Sequence, residues 1–230
     1  MGTMVEFASN GGTAAGYLST PEGGSGPGVI VVQEWWGLDS GTKEMADRLA
    51  AAGFVALAPD LYHGELAGHT EMDKAGDLMQ ALPADRAARD MSGAADYLAG
   101  HEATTGDGIG VMGFCMGGML TFILAALRPD VIKAAVPFYG FPQGDDQPDY
   151  SRITAAIQGH MAEHDDFFPP DAARELETKL RQLGKDATLT VHAGTGHAFM
   201  APHNALGTQD QQKYDEIWPQ ATAFLHEHLG

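Results

Sequence analysis

Short apolar runs alternate along this chain with longer stretches of helical spacing, and no other feature constrains the fold as tightly. The runs are Gly28-Val29-Ile30-Val31-Val32-Gln33, Phe54-Val55-Ala56-Leu57-Ala58, Ile109-Gly110-Val111-Met112, Ala134-Ala135-Val136-Pro137-Phe138, Thr154-Ala155-Ala156-Ile157-Gln158 and Thr188-Leu189-Thr190-Val191. Between them, Thr42 to Ala52, Asp85 to Ala99, Met116 to Leu127 and Pro170 to Leu183 space their apolar residues as a helix does. Continuous apolar strands separated by amphipathic helices predict an α/β fold: a mostly parallel sheet covered by helices on both faces. Pro137 fits a central strand poorly, because it lacks the ladder donor.

Two N-terminal segments, Met4 to Phe7 and Ala14 to Leu18, are joined by Ser9-Asn10-Gly11-Gly12 and predict an antiparallel hairpin at the sheet edge. A last helix from about Gln209 to Leu229 closes the fold, and Pro21 to Pro27 is short enough for a loop between strands. The chain has no internal repeat, and its 230 residues suit one domain over 1–230.

Charge narrows the function. The chain carries 31 acidic and 13 basic residues, a formal charge of −18, which repels nucleic acid and anionic headgroups. It has no apolar run of the roughly 20 residues a bilayer span needs, and Met1 to Asn10 lacks a basic region followed by an apolar stretch, so a cytoplasmic location is expected. The single cysteine, Cys115, excludes an internal disulfide. Composition does not fix the oligomeric state.

Cys115 stands in Gly113-Phe114-Cys115-Met116-Gly117-Gly118, directly after a predicted strand and before a predicted helix. This is the setting of a nucleophile elbow, with sulfur in place of the serine hydroxyl. A residue on so tight a turn needs neighbours without bulk two positions away, as Gly113 and Gly117 provide, while Gly118 lets helix and strand approach. The helix N-terminus is expected to lower the thiol pKa and to offer the Met116 N–H to an oxyanion. A buried apolar cysteine in a glycine-rich turn is the alternative.

Elbow enzymes carry acid and histidine after the nucleophile, in that order. Asp165 and Asp166 follow the predicted strand at Thr154 to Gln158, and either could orient an imidazole; Asp165 is favoured, with its neighbour able to start the next helix. Among ten histidines, His197 alone follows the last predicted strand, in Gly194-Thr195-Gly196-His197-Ala198-Phe199. In Gln33-Glu34-Trp35-Trp36-Gly37, a carboxylate beside two indoles at a strand end suits the wall of a site, with the Trp35 N–H as a second oxyanion donor and Glu34 near the thiol.

Together with Pro59-Asp60-Leu61-Tyr62 and Asp165-Asp166-Phe167-Phe168-Pro169, these segments resemble the dienelactone hydrolase (carboxymethylenebutenolidase) family of α/β-hydrolases over nearly the whole chain. The resemblance implies Cys115 as nucleophile, His197 as base, Asp165 as its orienter, and Glu34 as a carboxylate that pairs with the thiol and accepts its proton when substrate binds. It further implies hydrolysis of small esters or enol lactones without a cofactor. Trp36, Tyr62, Tyr139 and Phe199 are the residues expected to contact substrate. Members acting on dienelactones carry an arginine shortly after the histidine, whereas His197 is followed by Ala198-Phe199-Met200-Ala201-Pro202; Arg86 and Arg89 are the remaining candidates for binding a carboxylate.

His160 and His164 stand four apart, as metal ligands on a helix would, but flank a predicted strand end, so no metal site is expected. His63 and His69, near Tyr62, are expected to be solvated loop residues.

Overall fold

The side chains of β3, Gly26–Val32, divide between two cores. Ile30 and Val32 pack on one side of the sheet with Met91, Leu98, Phe122 and Leu180, and Val29 and Val31 pack on the other with Met45, Leu49, Ile217 and Leu225. All four β3 residues are fully buried, as the period of two requires of a strand covered on both faces. The computed structural model of the chain describes residues 2–9, 11–144 and 147–230. Met1 and Asn10, parts of the expected N-terminal segment and hairpin turn, lie outside the described residues.

β1 (Thr3–Ser9) and β2 (Gly12–Ser19) form the antiparallel hairpin, and β2 runs antiparallel to β4 (Val55–Pro59). The parallel strands are β4, β3, β5 (Thr104–Phe114), β6 (Ile132–Phe138), β7 (Ala156–His164) and β8 (Ala187–Gly196), in the order β1-β2-β4-β3-β5-β6-β7-β8. Helices α3 (Ala84–Ala99), α4 (Met116–Leu127) and α5 (Pro170–Gln182) cover one face, and α1 (Ser40–Ala51) and α6 (Gln211–Leu229) the other. Among the described residues no helix is long and apolar enough to cross a membrane.

Three details depart from expectation. Pro137 does sit inside β6, where pairing with β7 is interrupted between Ala135 and Phe138, so the missing donor falls in a gap of the ladder. Strand β7 starts two residues later than expected and runs on to His164. It thus holds both His160 and His164, about 13 Å apart at strand rise, too far to share one ion. A helix α2, Met72–Ala81, lies where none was predicted.

Candidate active site

The turn from β5 into α4 is as tight as its glycines suggest. Cys115 adopts φ 54° and ψ −117°, a conformation costly for a residue with a side chain. A Cβ on Gly113 would collide with the Gly117 carbonyl, and one on Gly117 with the Val32 carbonyl. Cys115 is thereby raised at the carboxyl end of the sheet, partly exposed, in the wall of a cavity of about 420 Å³.

Strand β8 ends at Gly196, so His197 follows it directly, beside the end of β7. Its Nδ1 lies 2.7 Å from Asp165 Oδ2, with the histidine 8% and the aspartate 0% exposed. The other oxygen, Asp165 Oδ1, accepts the N–H groups of Phe167 and Phe168, each at 2.9 Å. The same carboxylate therefore orients the imidazole and folds the loop that places two rings against it. Phe168 stacks on His197 at 5.7 Å between centroids, and Phe167 approaches at 5.0 Å. Asp166 is exposed, so of the two candidates Asp165 is the one that holds His197.

Cys115 and His197 line the same cavity, yet among the described residues no hydrogen bond joins the thiol to His197 or to Glu34. The thiol also departs from expectation in its acidity. Burial, and then the Glu34 carboxylate, push its pKa well above the ordinary value; the Met116 N–H lowers it, but by less. A helix N-terminus acts over one turn, whereas the sulfur here is desolvated and faces an anion. Both effects favour the thiol over the thiolate. Among the described residues the Trp35 N–H donates no hydrogen bond, while the Met116 N–H is directed at the Cys115 sulfur.

Glu34 lies beside Cys115, but its partner is His203, whose Nε2 is 2.5 Å from Glu34 Oε2. Among the described residues Glu34 Oε1 and the Tyr139 hydroxyl are buried without hydrogen-bond partners. Burial and the nearby Glu34 and Cys115 raise the Tyr139 phenol far above its ordinary pKa.

The remaining walls are mostly apolar: Trp35, Trp36, Met79, Met116, Met119, Phe141, Phe167, Phe168, Ala198 and Leu206, with Gln143 as a polar neighbour. Of the four expected substrate contacts only Trp36 is among them. Tyr139 and Phe199 are fully buried and pack edge to face at 5.4 Å in the core under the site, and Tyr62 points its hydroxyl at the Met116 sulfur, 3.5 Å away. Arg86 reaches the Leu61 carbonyl at 3.4 Å, and Arg89 pairs with exposed Asp85. No lysine or arginine lines the cavity among the described residues. His63 and His69 are not simply solvated, since each pairs with a carboxylate at 2.7 Å, Asp90 and Asp39 respectively.

The sequence reading missed His203, Met79, Met119, Phe141, Gln143 and Leu206, and gave Phe167 and Phe168 no role. The aromatic pair could have been found from its adjacency to Asp165; the others carry no local signal.

Known proteins agree with this architecture. The profile of the dienelactone hydrolase family matches residues 14–229. The chain is 39% identical to Protein usf of Aquifex pyrophilus and 35% identical to an Aquifex aeolicus protein named "Putative carboxymethylenebutenolidase", in both cases over all of each chain. A solved structure named m3DLH superposes with a TM-score of 0.86 at 25% identity, covering 100% of this chain and 99% of that one. The chain belongs to the dienelactone hydrolase family of α/β-hydrolases.

Proposed function

We propose that the protein hydrolyses small, uncharged esters or enol lactones, with Cys115 as nucleophile, His197 as base, Asp165 as the group that orients it, and Glu34 as acceptor of the thiol proton. The observation that carries this reading is the His197–Asp165 pair at 2.7 Å on the same cavity as the strained Cys115.

The thiol gives its proton to Glu34 and the thiolate attacks the substrate carbonyl, forming a carbon–sulfur bond. The new oxyanion takes hydrogen bonds from the Met116 and Trp35 N–H groups. Collapse breaks the carbon–oxygen bond, and the leaving oxygen takes up the proton that Glu34 received from the thiol. His197 then removes a proton from water as the water attacks the thioester, the carbon–sulfur bond breaks, and the departing thiolate takes that proton back from His197. Poor alkoxide leaving groups would return the substrate rather than form the thioester, which favours enol lactones, aryl esters or thioesters. The apolar walls and the lack of a lining cation support an uncharged substrate.

A thiol-sensing role is disfavoured, because sensor thiols are acidic, whereas burial and the Glu34 carboxylate raise the pKa of this one. The same reading includes a cytoplasmic location. The test is a panel of chromogenic esters and enol lactones with wild type and Cys115→Ala. Turnover that vanishes in the folded variant and on alkylation of the wild-type thiol is expected; esterase activity surviving full alkylation would overturn the reading.

A further inference from the structure

The carboxylate beside the catalytic thiol has a partner that the proposed mechanism does not use. His203 and Glu34 are 9% and 11% exposed, and they meet at 2.5 Å through Nε2 and Oε2. His203 Nδ1 and Glu34 Oε1 are buried and have no hydrogen-bond partner among the described residues. The imidazole is held in place rather than free to swing. Its ring lies 4.0 Å from that of His69, and the edge of Trp36 packs against it at 5.9 Å. His69 is fixed in turn by Asp39 Oδ2, and the other oxygen of Asp39 caps α1 through the Thr42 N–H. The titratable groups facing His203 are thus Glu34, Asp39 and His69, and those facing Glu34 on its other side are Cys115 and Tyr139.

We infer that His203 is a positioning residue of the site: it holds Glu34 through Oε2 and, by carrying or releasing a proton, sets how strongly that carboxylate opposes ionisation of the Cys115 thiol. Burial favours neutral His203, but the hydrogen bond and charge of Glu34, helped by Asp39, outweigh it and raise the imidazole pKa. Below that pKa the pair is close to neutral overall, and the thiol feels little of the negative charge. Above it, Glu34 acts with its full charge and the thiolate becomes harder to form. The inference rests on the reading of Cys115 as the working thiol, but its test follows the thiol itself and needs no turnover.

The experiment is the rate of iodoacetamide alkylation of Cys115, from mildly acidic to alkaline pH, in wild type, His203→Gln, His203→Ala, Glu34→Gln and the Glu34→Gln/His203→Gln double variant. Both single His203 variants should alkylate about tenfold more slowly than wild type on the acidic side, the scale of one opposite charge a few ångströms away. The gap should close as pH rises through the His203 titration. With Glu34→Gln the thiol should react faster than in wild type. In that background His203→Gln should change the rate by less than about twofold, because without its main anionic partner the buried imidazole is neutral. The comparison is made across pH within each variant, so a uniform loss of fold cannot produce the closing gap. A gap constant at every pH, no gap at all, or an undiminished His203 effect in the Glu34→Gln background would overturn the inference. If the His203 titration appears while every ester is refused, the inference stands and the hydrolase reading falls.

Discussion

Replacing Asp165 with asparagine isolates what the carboxylate does for His197. In the native site Asp165 Oδ1 takes two backbone N–H bonds from Phe167 and Phe168, and Oδ2 takes the imidazole Nδ1–H at 2.7 Å. Asparagine can keep its carbonyl oxygen on the two amides, so the loop and the aromatic rings remain in place. Its NH₂ group then faces Nδ1, which must accept, and the proton moves to Nε2, the nitrogen needed as base. A loss of about 10⁴ in kcat accompanies this tautomer change in serine triads, equivalent to about 5 kcal/mol of transition-state stabilisation. Here a loss of about 10³–10⁴ is expected, with little change in KM, while Asp166→Asn, at an exposed position, should retain nearly all activity. The assay is steady-state hydrolysis of the best ester from the panel, with circular dichroism to verify the fold. Equal losses at the two positions, or a kcat for Asp165→Asn within tenfold of wild type, would refute the assigned role of the pair.

Two further outcomes follow from the charges. Of two esters differing only by a carboxylate on the acyl or leaving group, the neutral one should have the larger kcat/KM. The missing charge-assisted contact is of the order of 2 kcal/mol, about thirtyfold. The comparison at low and high salt separates long-range repulsion from local recognition, and a preference for the anion at both would contradict it. His160, fully enclosed against His192 at 3.0 Å, has its pKa pushed down to about 3 by burial and then by His192. The unfolded chain takes up this proton below about pH 6.5 and the folded chain does not, so folding stability falls from about pH 6.5 toward pH 3, by up to about 1.4 kcal/mol per pH unit. Urea unfolding of His160→Gln should show a shallower acid slope than wild type over that range, and identical slopes would exclude the argument.

The fold was legible where burial imposes a pattern. Residues 28–32 and 55–58 are apolar without interruption because both faces of the sheet are covered, and no other common element of that length requires this. The ends of β5, β7 and β8 were not legible, because their polar residues protrude beyond the helices and lose the period that marks a strand. Helix α2 was missed because its apolar face is short: Met72, Ala75 and Leu78 pack inward, only Ala75 is fully buried, and the partly exposed Met79 is its contribution to the site. In the site, Cys115 was marked by steric demand on its glycines, and Asp165 and His197 by their places after adjacent strands. Tyr139 and Phe199, expected as substrate contacts, do not line the cavity, because nearness in sequence does not fix which way a side chain points. Both turn into the core shared by β5, β6 and α6.

The candidate site opposes ionisation of its own thiol. A thiol flanked by Glu34, with Asp165 beyond it and no lining lysine or arginine among the described residues, stays protonated and poorly reactive toward oxidants or stray electrophiles. Among the described residues the only side chains on the cavity able to carry positive charge are His197 and His203, and each is already committed to a buried carboxylate. An entering carbonyl changes this balance without bringing a cation. On the proposed mechanism it offers the sulfur an electrophile whose developing oxygen charge would fall on the Met116 and Trp35 N–H groups instead of on the acidic wall. A substrate carboxylate would add a third anion to a cavity whose imidazoles are both engaged, so the physical cost of anionic substrates arises in the same residues that keep the thiol quiet.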